Sequence, residues 1–391
     1  MSVSVERTQD FLDTVCRIAD EVAAPSAEEV DREARFPAET IDALRSAGAL
    51  SAPVPTELGG AGVPLPALAA ACFQLGRRCG SSAMVFAMHQ IQLVTIVRHL
   101  DGAPWYEEYL RRVAEQQRLI ASATSEVGTG GDMSRSIAAV TPAADGGLSF
   151  EKQAPTVSYG AHADDLFVTL RRAPEAEESD QVVAMVDQAH TQLEQTSTWD
   201  PLGMRGTCSP GFIVRATLTG EQILPAPFPK VMAESMVPLS HILWSQLWLG
   251  IATDAFDRAR AFVRAQAKQR PGQTPPAAAR LSQVMSELSL LRAEVSSALS
   301  EFEELSEEPG RERLGTMAAA LRFNNLKIAA SEQAPRVCQG ALGVCGIVGF
   351  KNDTPYSVGR HLRDTMSACL MIANERIHQT NASLLLIAKD V

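Results

Sequence analysis

Residues 120–132 read IASATSEVGTGGD, and the chain changes character at this point. Upstream of it, apolar residues recur at spacings of three and four, which predicts helices over residues 40–50, 65–78, 82–100 and 105–117. The segment 51–64, SAPVPTELGGAGVP, reads as a loop between the first two. Downstream lie short apolar runs with near-alternation: DLFVTL at 165–170, QVVAMV at 181–186 and GFIVRATL at 211–218. Turn segments such as AADGG and RRAPEAEESD separate them, so they read as strands. No interval between them has the length of a helix, and an antiparallel sheet or barrel is expected rather than βαβ units. The glycines Gly128, Gly130 and Gly131 let backbone N–H groups approach an electron-rich ring or a phosphate, since no side chain intervenes.

Beyond Pro229 the helical period returns. One helix carries Leu239, Ile242, Leu243, Leu247 and Ile251 on one face and stops before Arg270-Pro271-Gly272. A second carries Leu281, Leu288, Leu291, Val295 and Leu305; a third is expected over 313–338 and a fourth from Gly359 to the end. Four such helices in succession imply a bundle. The chain is therefore an α+β protein with an N-terminal helical domain (1–119), a middle β-barrel or sheet domain (120–226) and a C-terminal four-helix bundle (227–391).

Composition narrows the function classes. The 391 residues are 46% hydrophobic, 21% charged and 5% aromatic, which suits a globular chain built from alanine and leucine faces. A formal net charge of −11 repels polyanions, so neither nucleic acid nor an acidic membrane surface is expected as a partner. No apolar run reaches the roughly eighteen residues of a membrane span, and the start is acidic where a signal peptide is apolar, which points to the cytoplasm. Seven scattered cysteines without a CxxC pair support neither a disulfide framework nor a metal site.

Four segments, together with the helical, β, helical order, carry a family likeness. They are ASATSEVGTGGD at 121–132, GMRGTCS at 203–209, QGALGVCGIVGF at 339–350 and Leu362-Arg363-Asp364. In these the chain resembles the acyl-CoA dehydrogenase superfamily over essentially its whole length. The resemblance implies FAD as cofactor, with Thr124, Ser125 and Gly130 against the flavin, and Glu126 at the flavin or the substrate thioester. Ser158, within Thr156-Val157-Ser158-Tyr159, stands for the hydroxyl that contacts flavin N5; the tryptophan that the family stacks on the ring is absent there. Lys268 and Arg270 replace an arginine that holds the flavin pyrophosphate across a subunit interface, and Gln339 and Gly346 belong to the glycine-rich segment of the same site. It also implies a homodimer or homotetramer, an acyl thioester substrate on coenzyme A or an acyl carrier protein, and an electron acceptor. A carrier would find Arg77, Arg78, Arg111 and Arg112 available on a rim.

The base is where the chain departs from the family. Dehydrogenation of an acyl thioester needs a carboxylate opposite the flavin face, with its pKa tuned by burial. In most of the family it is a Glu eight residues after the Asp of the R-D pair; counting from Asp364 reaches Ile372, and the nearest acid is Glu375. A minority carries the Glu on the first bundle helix, where this chain has Ser240 and His241. The base is thus either Glu375, shifted in register, or missing. If it is missing, a flavin-dependent monooxygenase of the same fold is the alternative, using reduced flavin from a flavin reductase and O₂. Its pocket would draw on His89, Ser158, Ser240, His241 and His378, with His89 also placed at the substrate. A third alternative is a vestigial flavoprotein acting as a scaffold.

Overall fold

Helices occupy the first 116 residues of the computed structural model, which describes residues 2–130, 132–143, 146–306 and 310–388. They are α1 (Ser2–Ile18), α2 (Ala24–Glu33), α3 (Ala38–Ser46), α4 (Leu65–Arg78), α5 (Gly80–His99) and α6 (Pro104–Gln116). A single π-helical turn, Ala19–Ala23, joins α1 to α2 just before Pro25, whose missing N–H disturbs the regular ladder. By length and a mean hydropathy of 1.3, α5 is long and apolar enough to cross a membrane, which corrects the expectation that no such segment exists. The reading by uninterrupted apolar runs missed it because His89, Gln90, Gln92 and Thr95 break the run. In the fold, 83% of its apolar window is buried, as in the core helix of a soluble domain.

The strands lie between Ile120 and Leu218: β1 (Ile120–Ala123), β2 (Thr141–Pro142), β3 (Leu148–Ala154), β4 (Asp165–Arg171), β5 (Gln181–Asp187), β6 (Thr191–Gln195) and β7 (Phe212–Leu218). They make two sheets, ordered β1-β4-β5 and β2-β3-β7-β6. The second is antiparallel throughout, but β1 runs parallel to β4, with Ile120 opposite Asp165 and Ala123 opposite Val168. That pairing departs from the expected antiparallel arrangement. Parallel neighbours need a long crossover, and here β2 and β3, placed in the other sheet, supply it.

The C-terminal region holds α7 (Phe228–Val231), α8 (Val237–Gln269), α9 (Ala278–Ser306), α10 (Met317–Cys345), α11 (Ile347–Phe350), α12 (Gly359–Met366) and α13 (Asn374–Leu385). Every residue of α8 from Pro238 to Phe256 is buried, because α4 packs on one side and α10 on the other. Two glycines permit the crossing with α4: a Cβ on Gly76 would strike the carbonyl of Leu247, and one on Gly250 that of Phe73. α10 runs past the expected end at Cys338 and stops where Gly346 takes φ +60°. The expected last helix is broken into α12 and α13. Between them, residues 367–373 form turns, Ile372 takes φ +46°, and Ala373 is extended at ψ 128°.

Candidate functional site

A chamber of about 480 Å³ lies where all three regions meet. Met84 and Met88 come from α5, Thr156 and Ser158 from the loop after β3, and Trp199, Gly203, Met204, Thr207 and Ser209 from the loop between β6 and β7. Arg363 and Met366 of α12 and Ser367, Leu370, Met371 and Ile372 of the broken segment close it. The β6–β7 loop lies flat on α12 because Gly203 has no side chain: a Cβ there would meet the carbonyl of Arg363. Asp364 fastens the contact, accepting the Met204 N–H at 2.7 Å. Its carboxyl is fully enclosed, and burial pushes its pKa up to about 6. It stands behind Met204 and is not part of the chamber wall.

Strained backbone gathers at this wall. Of the seven non-glycine residues at positive φ among the described residues, Met204 and Ile372 line the chamber, and Tyr159 and Cys208 adjoin the lining residues Ser158, Thr207 and Ser209. Such conformations cost about 1–3 kcal/mol each and persist where surrounding structure imposes them. For Ile372 that structure is Lys327 of α10. Its ammonium, fully buried, donates to the Ile372 carbonyl at 2.9 Å and to Asn374 Oδ1 at 2.7 Å. Burial pulls the Lys327 pKa down to about 8.

The hydroxyls supply the chamber's polar edge. Thr207 donates to the Met204 carbonyl at 2.9 Å, and Ser209 donates to Ser158 Oγ at 2.9 Å. A hydroxyl that accepts in this way keeps its own proton to give, so Ser158 is left as a donor towards the chamber. Trp199 also lines the chamber, and its indole Nε1 is buried with no partner among the described residues. An aromatic residue and a hydroxyl donor in a mostly apolar chamber suit a flavin ring.

The structure separates the other expected site residues from the chamber. Ser125 donates to the Thr156 carbonyl at 2.8 Å, which ties the glycine loop to the strand end beside Ser158. Thr124 is half-buried at the end of β1, and its carbonyl accepts from Thr169. Gly130 is exposed at φ +64°, and its carbonyl accepts from the Arg376 guanidinium; Gly131 lies outside the described residues. Glu126, expected at the flavin or thioester, is instead a buried clamp. Its carboxylate accepts from Ser136 Oγ at 2.7 Å and from the N–H groups of Ile137 and Ala138, and faces buried Lys152 at 3.5 Å. His89, expected at the substrate, is also structural. Nε2–H donates to the Leu50 carbonyl at 2.7 Å and Nδ1 accepts the Ile120 N–H at 3.0 Å, while burial lowers its pKa to about 4.

Ser240 and His241 point into the bundle. The Ser240 hydroxyl donates to the Met236 carbonyl at 2.6 Å, and His241 Nδ1–H to the Phe323 carbonyl at 3.0 Å. Burial, reinforced by Lys327, pulls the His241 pKa to about 3. Glu375 is exposed on the first turn of α13, outside the chamber, and His378 is exposed one turn on. Lys268 and Arg270 are exposed at the end of α8, and Gln339 and Gly346 are exposed on α10 and at its end. None of these four lines the chamber. Tyr159, weighed as an aromatic face, is fully buried and donates to the Ile120 carbonyl at 2.9 Å.

The position eight residues after Asp364 does reach the chamber, and it is Ile372. Among the described residues, the lining contains no Asp, Glu or His. Met84, Met88 and Trp199 are functional candidates that the sequence did not single out. Methionines on a helix read as core, and the only signal for Trp199 was its place four residues before GMRGTCS.

Helical, sheet and helical regions closing on a largely apolar chamber with hydroxyl donors are the arrangement of the acyl-CoA dehydrogenase-like fold. Residues 5–117 match the family model "Acyl-CoA dehydrogenase, N-terminal domain". The amino sugar nitrososynthase DnmZ of Streptomyces peucetius is 25% identical over 358 residues, covering 87% of this chain and 84% of that protein. The human mitochondrial short-chain specific acyl-CoA dehydrogenase is 25% identical over 379 residues, covering 93% and 86%. Among solved structures, FMN-bound TdsC from Paenibacillus sp. A11-2 superposes with a TM-score of 0.81 at 19% identity, over 96% of this chain and 97% of that one. The chain thus shares the fold of these enzymes over nearly its whole length, its N-terminal region matches the acyl-CoA dehydrogenase family, and the likeness indicates a flavin cofactor.

Proposed function

We propose that the protein is a flavin-dependent monooxygenase, the second of the two enzyme readings drawn from the sequence. One observation carries this: the wall position that would hold the dehydrogenase base is Ile372, and no other lining residue can take a proton from a carbon acid. Glu375 has solvent on it and would need the 367–373 segment to refold to enter. The likeness to the dibenzothiophene monooxygenase of Mycolicibacterium goodii, 28% identical over 238 residues that cover 58% of this chain and 56% of that protein, supports the same reading.

When bound and reduced, the flavin supplies the two electrons and the site at which O₂ is activated. The chain's own residues shape and dry that site. Met84, Met88, Met204, Met371 and Ile372 give the chamber its apolar wall and leave room for a small, largely apolar reacting group. Ser158 holds its proton towards the chamber, with its orientation fixed by Ser209. Preoriented donors in a dry pocket are worth far more than the same groups in water.

The test is anaerobic mixing of the flavin-loaded protein with a panel of acyl thioesters while the oxidised flavin band is followed. No bleaching by thioester alone is expected, with O₂ uptake only when reduced flavin is supplied by a flavin reductase. Bleaching by a thioester without external reductant would refute oxygenation and restore dehydrogenation.

A further inference from the structure

Five of the chain's twelve methionines, Met84, Met88, Met204, Met366 and Met371, stand among the seventeen residues that line the chamber. An even spread over the 391 residues would put at most one there. They also come from separate elements. Met84 and Met88 lie one turn apart on α5, Met204 on the β6–β7 loop, Met366 at the end of α12 and Met371 in the broken segment. Leucine would make as apolar a wall at a lower cost in side-chain entropy. What methionine adds is a thioether, an apolar group that peroxide oxygenates.

The five differ in access. Met84 is 2% exposed and Met204 4%. Met204 is also hemmed in, its methyl 3.4 Å from the place a Cβ on Gly80 would take. Met88 and Met371 are half-buried and face the chamber. Met366, at 48% exposed, meets solvent as well, while Met285 (42%) on α9 and Met317 (40%) on α10 are exposed and do not line the chamber. Cys369 belongs to the broken segment but not to the lining; its Sγ–H donates to the Ser331 carbonyl at 3.2 Å. Trp199 is the other oxidisable side chain of the lining.

We infer that Met88 and Met371 are a modification site, S-oxygenated from within the chamber when O₂ is reduced there with no substrate in place. Two electrons and two protons from reduced flavin convert O₂ to hydrogen peroxide. The thioether sulfur then takes one peroxide oxygen as the O–O bond breaks; sulfur is oxidised by two electrons, and the other oxygen leaves as water with both protons. The sulfoxide is polar where the thioether was apolar, and it persists until a methionine sulfoxide reductase removes it. An enzyme that idles thus turns its own apolar wall polar. The inference rests on the oxygenation reading, which makes the chamber the place where O₂ is reduced.

The experiment supplies the flavin-loaded full-length protein with a flavin reductase, NADH and O₂, without substrate and with catalase to clear peroxide from the bulk. Tandem mass spectrometry of the digested protein then locates each added oxygen and separates Met88 from Met84 and Met371 from Met366. At least about fivefold more sulfoxide is expected at Met88 and Met371 than at Met285 and Met317. In a parallel sample the resting protein receives a bolus of hydrogen peroxide, and there the exposed Met285, Met317 and Met366 should be oxidised first. Oxidation during turnover that follows exposure, that catalase abolishes, or that repeats the order given by the bolus overturns the inference, as does no oxidation of Met88 and Met371. Such a failure leaves oxygenation standing. Bleaching by a thioester removes oxygenation but leaves this map intact, because it needs only reduced flavin and O₂.

Discussion

Lys327→Met probes what keeps the apolar ceiling of the chamber in place. Lys327 is 0% exposed and holds the Ile372 carbonyl and Asn374 Oδ1. Hydrogen bonds from a charged donor contribute roughly 1.5–3 kcal/mol each, while the methionine relieves the burial of a charge and leaves two acceptors short of a donor. Asn374 Oδ1 keeps the Ser331 hydroxyl at 3.2 Å, which softens the loss. The net destabilisation at neutral pH is about 1–2 kcal/mol. The pH dependence is more telling. Burial lowers the Lys327 pKa from 10.5 to about 8, so between those values the unfolded chain carries a proton that the folded one has released. The pH-dependent part of its contribution therefore rises with pH through that window, is complete above 10.5 and is absent below 8. Between pH 7.5 and 9.5 the gain is about 2 kcal/mol. The variant has no such group, so the stability gap between wild type and variant should widen by that amount. Urea unfolding of both proteins at the two pH values, followed by tryptophan fluorescence, measures it. A gap that stays constant with pH, or a variant more stable than wild type at pH 9.5, would refute the account of a buried Lys327 amino group that holds the segment while its charge is penalised by burial.

Other outcomes follow from the same geometry. Glu375→Gln should leave turnover within about twofold, since the carboxylate is exposed and outside the chamber; steady-state O₂ uptake checks this, and loss of activity would return Glu375 to the role of base. Ser158→Ala removes the directed hydroxyl and should lower the turnover number by roughly tenfold to a hundredfold with little change in melting temperature; a fall in stability alone would make Ser158 structural. Glu126→Gln leaves buried Lys152 without its counter-charge and should cost about 3 kcal/mol, read as a lower melting temperature and faster flavin release from the loosened glycine loop.

Local elements were legible where one period governed the segment. Residues 65–78 form α4 with the bounds that spacing gives, and the runs at 165–170 and 181–186 open β4 and β5. What the spacing could not carry were decisions made at a distance. The parallel pairing of β1 with β4 depends on where the hairpin between them goes, not on either strand's own pattern. The break at 367–373 has no Gly or Pro to announce it, and Lys327, on another helix, holds it open. The site divided in the same manner. Ser158, taken from the family likeness of residues 156–159, lies at the chamber, and so does Ile372, the residue eight after Asp364. Glu126 and His89 were expected at the ligand because buried polar groups and ligand-binding groups look alike in sequence. Only their saturated hydrogen bonds show that they clamp the backbone. The wall formed by Met84, Met88 and Trp199 required three separate elements to meet.

The contact of Gly76 with Leu247 and of Gly250 with Phe73 has a bearing on synthesis. The helix on which the first domain rests is encoded about 170 residues after α4, so at roughly 5–20 residues per second the nascent N-terminal helices wait on the order of ten to thirty seconds for it. During that interval the face of α4 around Phe73 and Gly76, which α8 will cover, has no bundle to pack on. A chain truncated before residue 237 should therefore leave that face open and aggregate more readily than the full chain, which light scattering of the two proteins would show.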